Sequence, residues 1–251
     1  MKYRISFVYI FLSFIFFTQI ISKEEIQKIP ARKSVKVKPI DTFINLYLPN
    51  FYVSMNTSSS FRKLETNEDF LLIPLNERVN EIPLFTNSFT IGVNGKVYKN
   101  IGWDGAISLI QNGEQYSFSD MDSSFSYKTR YRYISMPVRI NYTINFASKF
   151  GCKLGFGIAP LLFVNYKQDQ EWQTTEGSNG TNSIKTNVGF NSAVFNFSSY
   201  LYLIYRLPSN FGLFVGPEYR YQLNNSYERT DDYKHYSRAL GITFGVYKSI
   251  N

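Results

Sequence analysis

The sequence predicts an all-β fold: a closed, antiparallel, up-and-down transmembrane β-barrel of eight strands. Three observations carry that reading. After an N-terminal leader, the chain is a series of segments rich in Val, Ile, Phe, Tyr and Thr, with no helix-period pattern of convincing length. The connections between segments alternate strictly between long and short. Within the segments, large apolar side chains alternate with glycine and polar ones at the period of two that a strand requires.

The leader comes first. Lys2 and Arg4 precede a largely apolar run from Ile5 to Phe17, and Ser22 stands just before a charged stretch, so residues 1–22 read as a secretory signal peptide. An uncleaved anchor is the alternative, with Ile20 and Ile21 extending a run that otherwise falls short of the roughly 20 apolar residues of a spanning helix. No cysteine sits near the cleavage region to take a lipid, and Cys152, the sole cysteine, leaves no intramolecular disulfide. Residues 23–40 hold six cations, two acids and two prolines without apolar periodicity, as expected of a flexible basic lead-in on the periplasmic side. The net charge of +8 falls to +6 without Lys2 and Arg4, most of that excess lies in this lead-in, and the chain is exported, which argues against a nucleic-acid partner. Aromatic residues make up 18% of the chain and charged residues only 18%, against roughly 25% charged in soluble domains.

From 41 to 251 the barrel domain is expected. Its eight segments are 41–56, 85–98, 103–118, 130–146, 150–167, 186–205, 211–225 and 235–249. Long connections at 57–84, 119–129, 168–185 and 226–234 take turns with short ones at 99–102, 147–149 and 206–210. Outer-membrane barrels have this asymmetry, with short periplasmic turns and longer external loops. Acids exceed bases by six over the long connections, so the two ends also differ in charge.

Facing sharpens the prediction. Phe150, Cys152, Leu154, Phe156, Ile158, Leu162 and Val164 share one face, opposed by Gly151, Lys153, Gly155, Gly157, Ala159 and Asn165. Ile134, Met136, Val138, Ile140, Tyr142 and Ile144 likewise oppose Ser135, Arg139, Asn141, Thr143 and Asn145. Leu240, Ile242, Phe244 and Val246 oppose Ala239, Gly241, Thr243 and Gly245. The apolar set is expected to face lipid, and the small polar set to fill a narrow interior. On this register Lys96, Asp104, Glu114, Arg139, Lys153, Glu218 and Arg220 point inward as a lumen ion network. A soluble sheet wetted on its polar side is the alternative, but it would leave two edges to protect. Tyr98, Tyr131, Tyr133, Tyr166 and Tyr221 fall near strand ends, where amphipathic rings favour the lipid–water boundary. Pro137, which cannot donate to a ladder, should mark a bulge or bend.

Three stretches, Tyr133-Ile-Ser-Met-Pro-Val-Arg-Ile140, Lys153-Leu-Gly-Phe-Gly-Ile-Ala-Pro160 and Arg238-Ala-Leu-Gly-Ile-Thr-Phe-Gly245, resemble the PorT-like outer-membrane β-barrel family of Bacteroidetes over roughly residues 41–250. The resemblance implies location in the bacterial outer membrane and, for some members, an association with the type IX secretion route. It implies no particular activity, because fold does not determine function.

Candidate chemistry is sparse. His235, the only histidine, shares a face with Ser237 near Glu228, Asp231 and Asp232, the residue types of an acyl-transfer site, so a lipid-modifying hydrolase is one alternative. The same register points both inward, away from lipid. One histidine and one cysteine do not make a zinc site, no loop has the spaced acids of a calcium site, and no cofactor is expected. The favoured reading is therefore a non-enzymatic barrel in contact with outer-membrane lipid, holding out four external loops to a protein partner. Asp169, Glu171, Trp172 and Glu176 are its expected contact set. A narrow pore and a lipocalin-like ligand binder are further alternatives.

Overall fold

The computed structural model describes residues 49–66, 81–174, 176–208, 210–228 and 233–250. The expected signal at 1–22, the basic lead-in at 23–40, the middle of the 57–84 connection and the tip of 226–234 lie outside the described residues.

Among the described residues ten strands make eight passes: β1 (Asn50–Thr66), β2 (Glu81–Tyr98), β3 (Ile101–Ser119), β4 (Ser124–Ser135), β5 (Val138–Asn145), β6 (Phe150–Gln173), β7 (Asn179–Thr186), β8 (Ala193–Arg206), β9 (Phe211–Gln222) and β10 (Tyr233–Ser249). β4 and β5 form one pass broken at Met136 and Pro137, both lying between β3 and β6. The break falls where proline has no N–H to give, while its carbonyl still accepts from Ala106 N at 3.1 Å. β7 and β8 form another pass, interrupted at 187–192, where Gly189 takes a left-handed φ of 84°. Every pass pairs antiparallel with the next, and β10 pairs with β1 from Asn50↔Ser249 to Thr66↔Tyr233, so the sheet closes on itself.

Facing follows the period-two pattern. Val53, Met55, Ile91, Leu109, Ile140, Phe156, Leu203, Leu213 and Phe244 are exposed on the outside, while Asn56, Ser88, Ser108, Arg139, Ser198, Arg220 and Thr243 are buried inside. A globular core is thereby inverted. Phe156 keeps 55% of its surface exposed whereas Arg139 keeps 5%, a distribution tolerable only where the outside is hydrocarbon. Among the described residues no helix is long and apolar enough to cross a membrane; the strands do it. Closed barrels with a greasy outside and polar inside belong to bacterial outer membranes, and that is where this chain resides.

The strands run further than the sequence suggested. Among the described residues the first runs from Asn50 to Thr66, well beyond the expected end at 56, while 41–48 of the expected segment lie outside them. β3, β4, β6 and β7 extend through what were expected to be long loops, leaving only tight turns at 120–123 and 174–178. The 24 residues of β6 give roughly 80 Å of chain at about 3.3 Å each, against the 9–11 residues or so that cross a bilayer. The wall therefore has two storeys. Its apolar belt ends outward near Phe85, Leu109, Ile134, Val164 and Leu240, and the paired strands rise above it with Lys128, Arg130, Arg132, Ser117 and Tyr236 on the outer face.

Two facing assignments need correction. Tyr131 and Tyr133 are buried in the interior at 1% exposure each, not at the lipid boundary, because their alternation with half-buried Arg130 and exposed Arg132 is in phase with the lumen. A bulge at Val164 shifts the register of β6, so that Tyr166 faces Tyr131 while Asn165 pairs with Arg132.

Candidate functional site

Glycine and aromatic residues set the interior shape of the lower storey, the end with the short turns. Tyr52, Tyr200, Tyr247 and Phe214 lie directly across the ladder from Gly92, Gly155, Gly212 and Gly245. A Cβ added at any of these glycines would overlap the ring opposite it. Each ring thus lies flat over its neighbouring strand, and the lumen closes around it.

Between those rings lies the first charged cluster. Arg139 of β5 bonds Asp104 of β3 through Nε at 2.9 Å and Nη2 at 2.7 Å. Its Nη1 is 3.8 Å from a Glu218 oxygen of β9, and its guanidinium lies 4.8 Å from the centre of the Tyr200 ring. Tyr52 donates to Asp104 at 3.1 Å, while Tyr202 and Thr243 donate to Glu218 at 2.7 and 2.8 Å. Arg220 donates to Ser88 and Ser58 across the lumen at 3.1 and 3.0 Å. Seven of the eight passes are tied together by these few side chains. Buried charges of both signs, each with hydrogen-bond partners, can hold a lumen shut without an apolar core.

A second cluster occupies the upper storey. Arg62 pairs with Glu81 and reaches Glu114 at 3.7 Å; Tyr127 donates to Glu81, and Tyr131 donates to Glu114 at 3.2 Å. Tyr131, Tyr133, Phe163, Tyr166 and Phe190 pack beside it as an aromatic plug. Interior cavities of about 20 Å³ each remain near Tyr200 and near Arg220, room for about one water apiece. A larger cavity of about 550 Å³ opens at the mouth with the short turns, beside Lys96, Lys153 and Arg206.

Of the seven residues expected to form a lumen ion network, Asp104, Arg139, Glu218 and Arg220 meet in the lower cluster and Glu114 in the upper one. Lys153 leaves the acids and donates to Asn94 at 3.3 Å, and Lys96 lies exposed at the mouth, because its strand ends there. The expectation missed Arg62 and Glu81, which fell in a stretch read as a loop. It also missed Tyr52, Tyr200 and Tyr202, whose spacing in phase with inward polar residues was the available signal.

His235 and Ser237 both point inward and are buried, His235 at 0% exposure. The imidazole stacks between Tyr131 and Tyr227, with ring centres 4.6 and 5.2 Å away, and neither of its nitrogens has a hydrogen-bond partner among the described residues. Ser237 accepts from Asn112 and donates to Gln222, both at 2.8 Å. The serine proton is therefore directed to an amide oxygen and not to the histidine. Among the described residues no group of three or more His, Cys, Asp and Glu side chains could hold a metal ion.

The expected external contacts sit on a hairpin, not in a loop. Asp169, Glu171 and Trp172 belong to β6 and pair with Ser183, Thr181 and Gly180 of β7, while Glu176 is in the turn. Asp169 accepts from Arg130 at 2.9 Å, from Ser183 at 2.8 Å and from Lys167 at 3.1 Å. The bonds from Lys167 and then Ser183 hold its carboxyl down at about 2. Trp172 covers Gly180 and keeps 38% of its surface exposed.

No protein-family model matches the sequence. No curated protein matches it either. Among solved structures, the chain is similar to Neisserial surface protein A at 13% identity, covering 80% of this chain and 97% of that one with a TM-score of 0.39. Another is the outer membrane protease OmpT of Escherichia coli, at 11% identity over 87% of this chain and 99% of that one, TM-score 0.44. A third is the attachment invasion locus protein Ail of Yersinia pestis, at 13% identity over 79% and 99%, TM-score 0.29.

Proposed function

We propose that this outer-membrane barrel is a non-enzymatic scaffold that holds rigid β-hairpins above the membrane for a protein partner. The observation that carries this reading is the two-storey wall: strands far longer than a bilayer needs, cross-braced inside by Arg62, Glu81 and Glu114. Bracing lowers the entropy lost when a partner docks. The β6–β7 hairpin, with Trp172 and Glu176 toward its tip, is the proposed contact surface.

The alternatives find less support. A hydrolase acting on lipid needs its nucleophile at the membrane, whereas Ser237 and His235 are sealed inside. A lipocalin-like binder needs an apolar cavity, and this interior is lined by ions, amides and tyrosines. The finer family reading, a PorT-like barrel serving the type IX secretion route, belongs to the same proposal. It rests on the three quoted segments, whose Pro137 breaks a strand and whose Gly155 and Gly245 seat aromatic rings.

The test replaces residues 170–182 with a short Gly-Ser turn in the full chain. The trimmed protein should still fractionate with outer membranes and shift in apparent mass on heating, yet lose a neighbour that cross-links to the wild type. The same cross-linked neighbours in both would overturn the reading. Normal lipid A processing in cells carrying His235→Ala is expected as well.

A further inference from the structure

Directly above the apolar belt, one side of the barrel carries a basic patch on its outer face. Lys128, Arg130 and Arg132 of β4 alternate with the inward Thr129 and Tyr131. Arg130 pairs across the ladder with Lys167 of β6, and Lys167 with Lys185 of β7. Like charges directly opposite each other destabilise a sheet unless an anion compensates them. Asp169 compensates in part, 2.9 Å from both Arg130 Nη1 and Lys167 Nζ. Lys128, Arg132 and Lys185 have no ion-pair partner among the described residues.

Height gives the patch its meaning. Arg132 stands two residues above Ile134 and Lys167 three above Val164, both exposed side chains of the lipid-facing belt. At about 3.3 Å of rise per residue, and with a headgroup layer roughly 5–7 Å deep on each side of the hydrocarbon, Arg132 stands at headgroup level and Lys167 just above it. Long basic side chains reach further still along the wall. Across the barrel Arg238 of β10 stands equally high, two residues above Leu240, but its guanidinium lies over the Tyr221 ring at 5.3 Å. What sets the β4–β6–β7 side apart is its row of cations directly opposite one another, Arg130, Lys167 and Lys185.

We infer that this patch binds the phosphate groups of outer-leaflet lipid headgroups. Arg132 and Lys185 make the contacts, Lys128 adds to the positive field from higher on the wall, and Asp169 keeps Arg130 and Lys167 in line. Gln111 and Gln115, paired with Arg132 and Lys128 on the adjoining strand, extend the surface with amide groups suited to a sugar. The inference goes beyond the proposed hairpin partner and uses only the membrane location.

The experiment measures retention of bis-phosphorylated and dephosphorylated lipid A by the full chain in detergent micelles, using native mass spectrometry. Wild type should retain the phosphorylated form at least about tenfold more strongly, and 0.5 M salt should abolish the difference. Lys128→Gln/Arg132→Gln/Lys185→Gln should lose the preference, while Lys99→Gln/Lys149→Gln/Lys248→Gln at the opposite mouth should keep it. Equal retention of both lipids by wild type would overturn the inference without any variant. Equal loss in both triple variants, or full displacement by millimolar inorganic phosphate, would overturn it too. Loss of the β6–β7 hairpin's protein neighbour leaves these readouts unchanged, so the two readings fail separately.

Discussion

At the scale of single residues, the interior depends on charges that have no water to fall back on. Among the described residues only Arg139 forms ion pairs with both Asp104 and Glu218, so Arg139→Ala leaves two buried carboxylates facing each other. A loss of about 3–5 kcal/mol is expected, read from urea unfolding in micelles by the fluorescence of Trp103 and Trp172; Asp104→Asn in the same chain should recover part of it. Asp169 gives a pH prediction of the opposite kind. Its carboxyl is held below the ordinary carboxylate range by Lys167 and Ser183, so its bracing is complete above that range and is lost as pH falls toward about 2. Amide exchange in the β6–β7 hairpin should therefore stay slow at pH 4 and quicken near pH 2. The sequence disclosed the inward direction of Arg139 and Glu218 but not that they meet, because contact between strands far apart in the chain depends on register. It likewise showed glycines relieving crowding without showing that Gly155 is the seat of Tyr200.

At the scale of elements, the strand centres were legible and their outer ends were not. Alternation of large apolar with small polar residues marks a strand only where one face is greasy. Above the belt both faces of β3, β4 and β6 are polar or aromatic, and Ser117, Ser126 and Glu171 read like loop residues although they pair in register. What makes them strand is continuation: a ladder already formed below extends by one hydrogen-bonded pair at a time, and tyrosines such as Tyr127 and Tyr116 stack across it at 5.3 Å. The two storeys should respond differently to the same substitution. Ile140→Arg, in the lipid-facing belt, should cost about 2–4 kcal/mol in guanidine titration of the barrel inserted in vesicles. Ser117→Arg, on the outer face above it, should change stability by less than about 0.5 kcal/mol.

At the scale of the whole molecule, the eight-pass ring and the outward apolar face were both readable from alternation and connection length. The filling of the lumen was readable only as a list of inward charges. With ions and rings meeting at its centre, the barrel should show no single-channel steps in planar bilayers; regular conductance steps from the wild type would contradict the packing around Arg139 and Tyr131. The seam between β1 and β10 has one further consequence. The pairing that seals the cylinder joins strands separated by most of the sequence, so the ring cannot be completed until the last strand has been delivered. Until then the growing sheet carries two naked rims in search of partners, and whatever chaperones it must guard both at once.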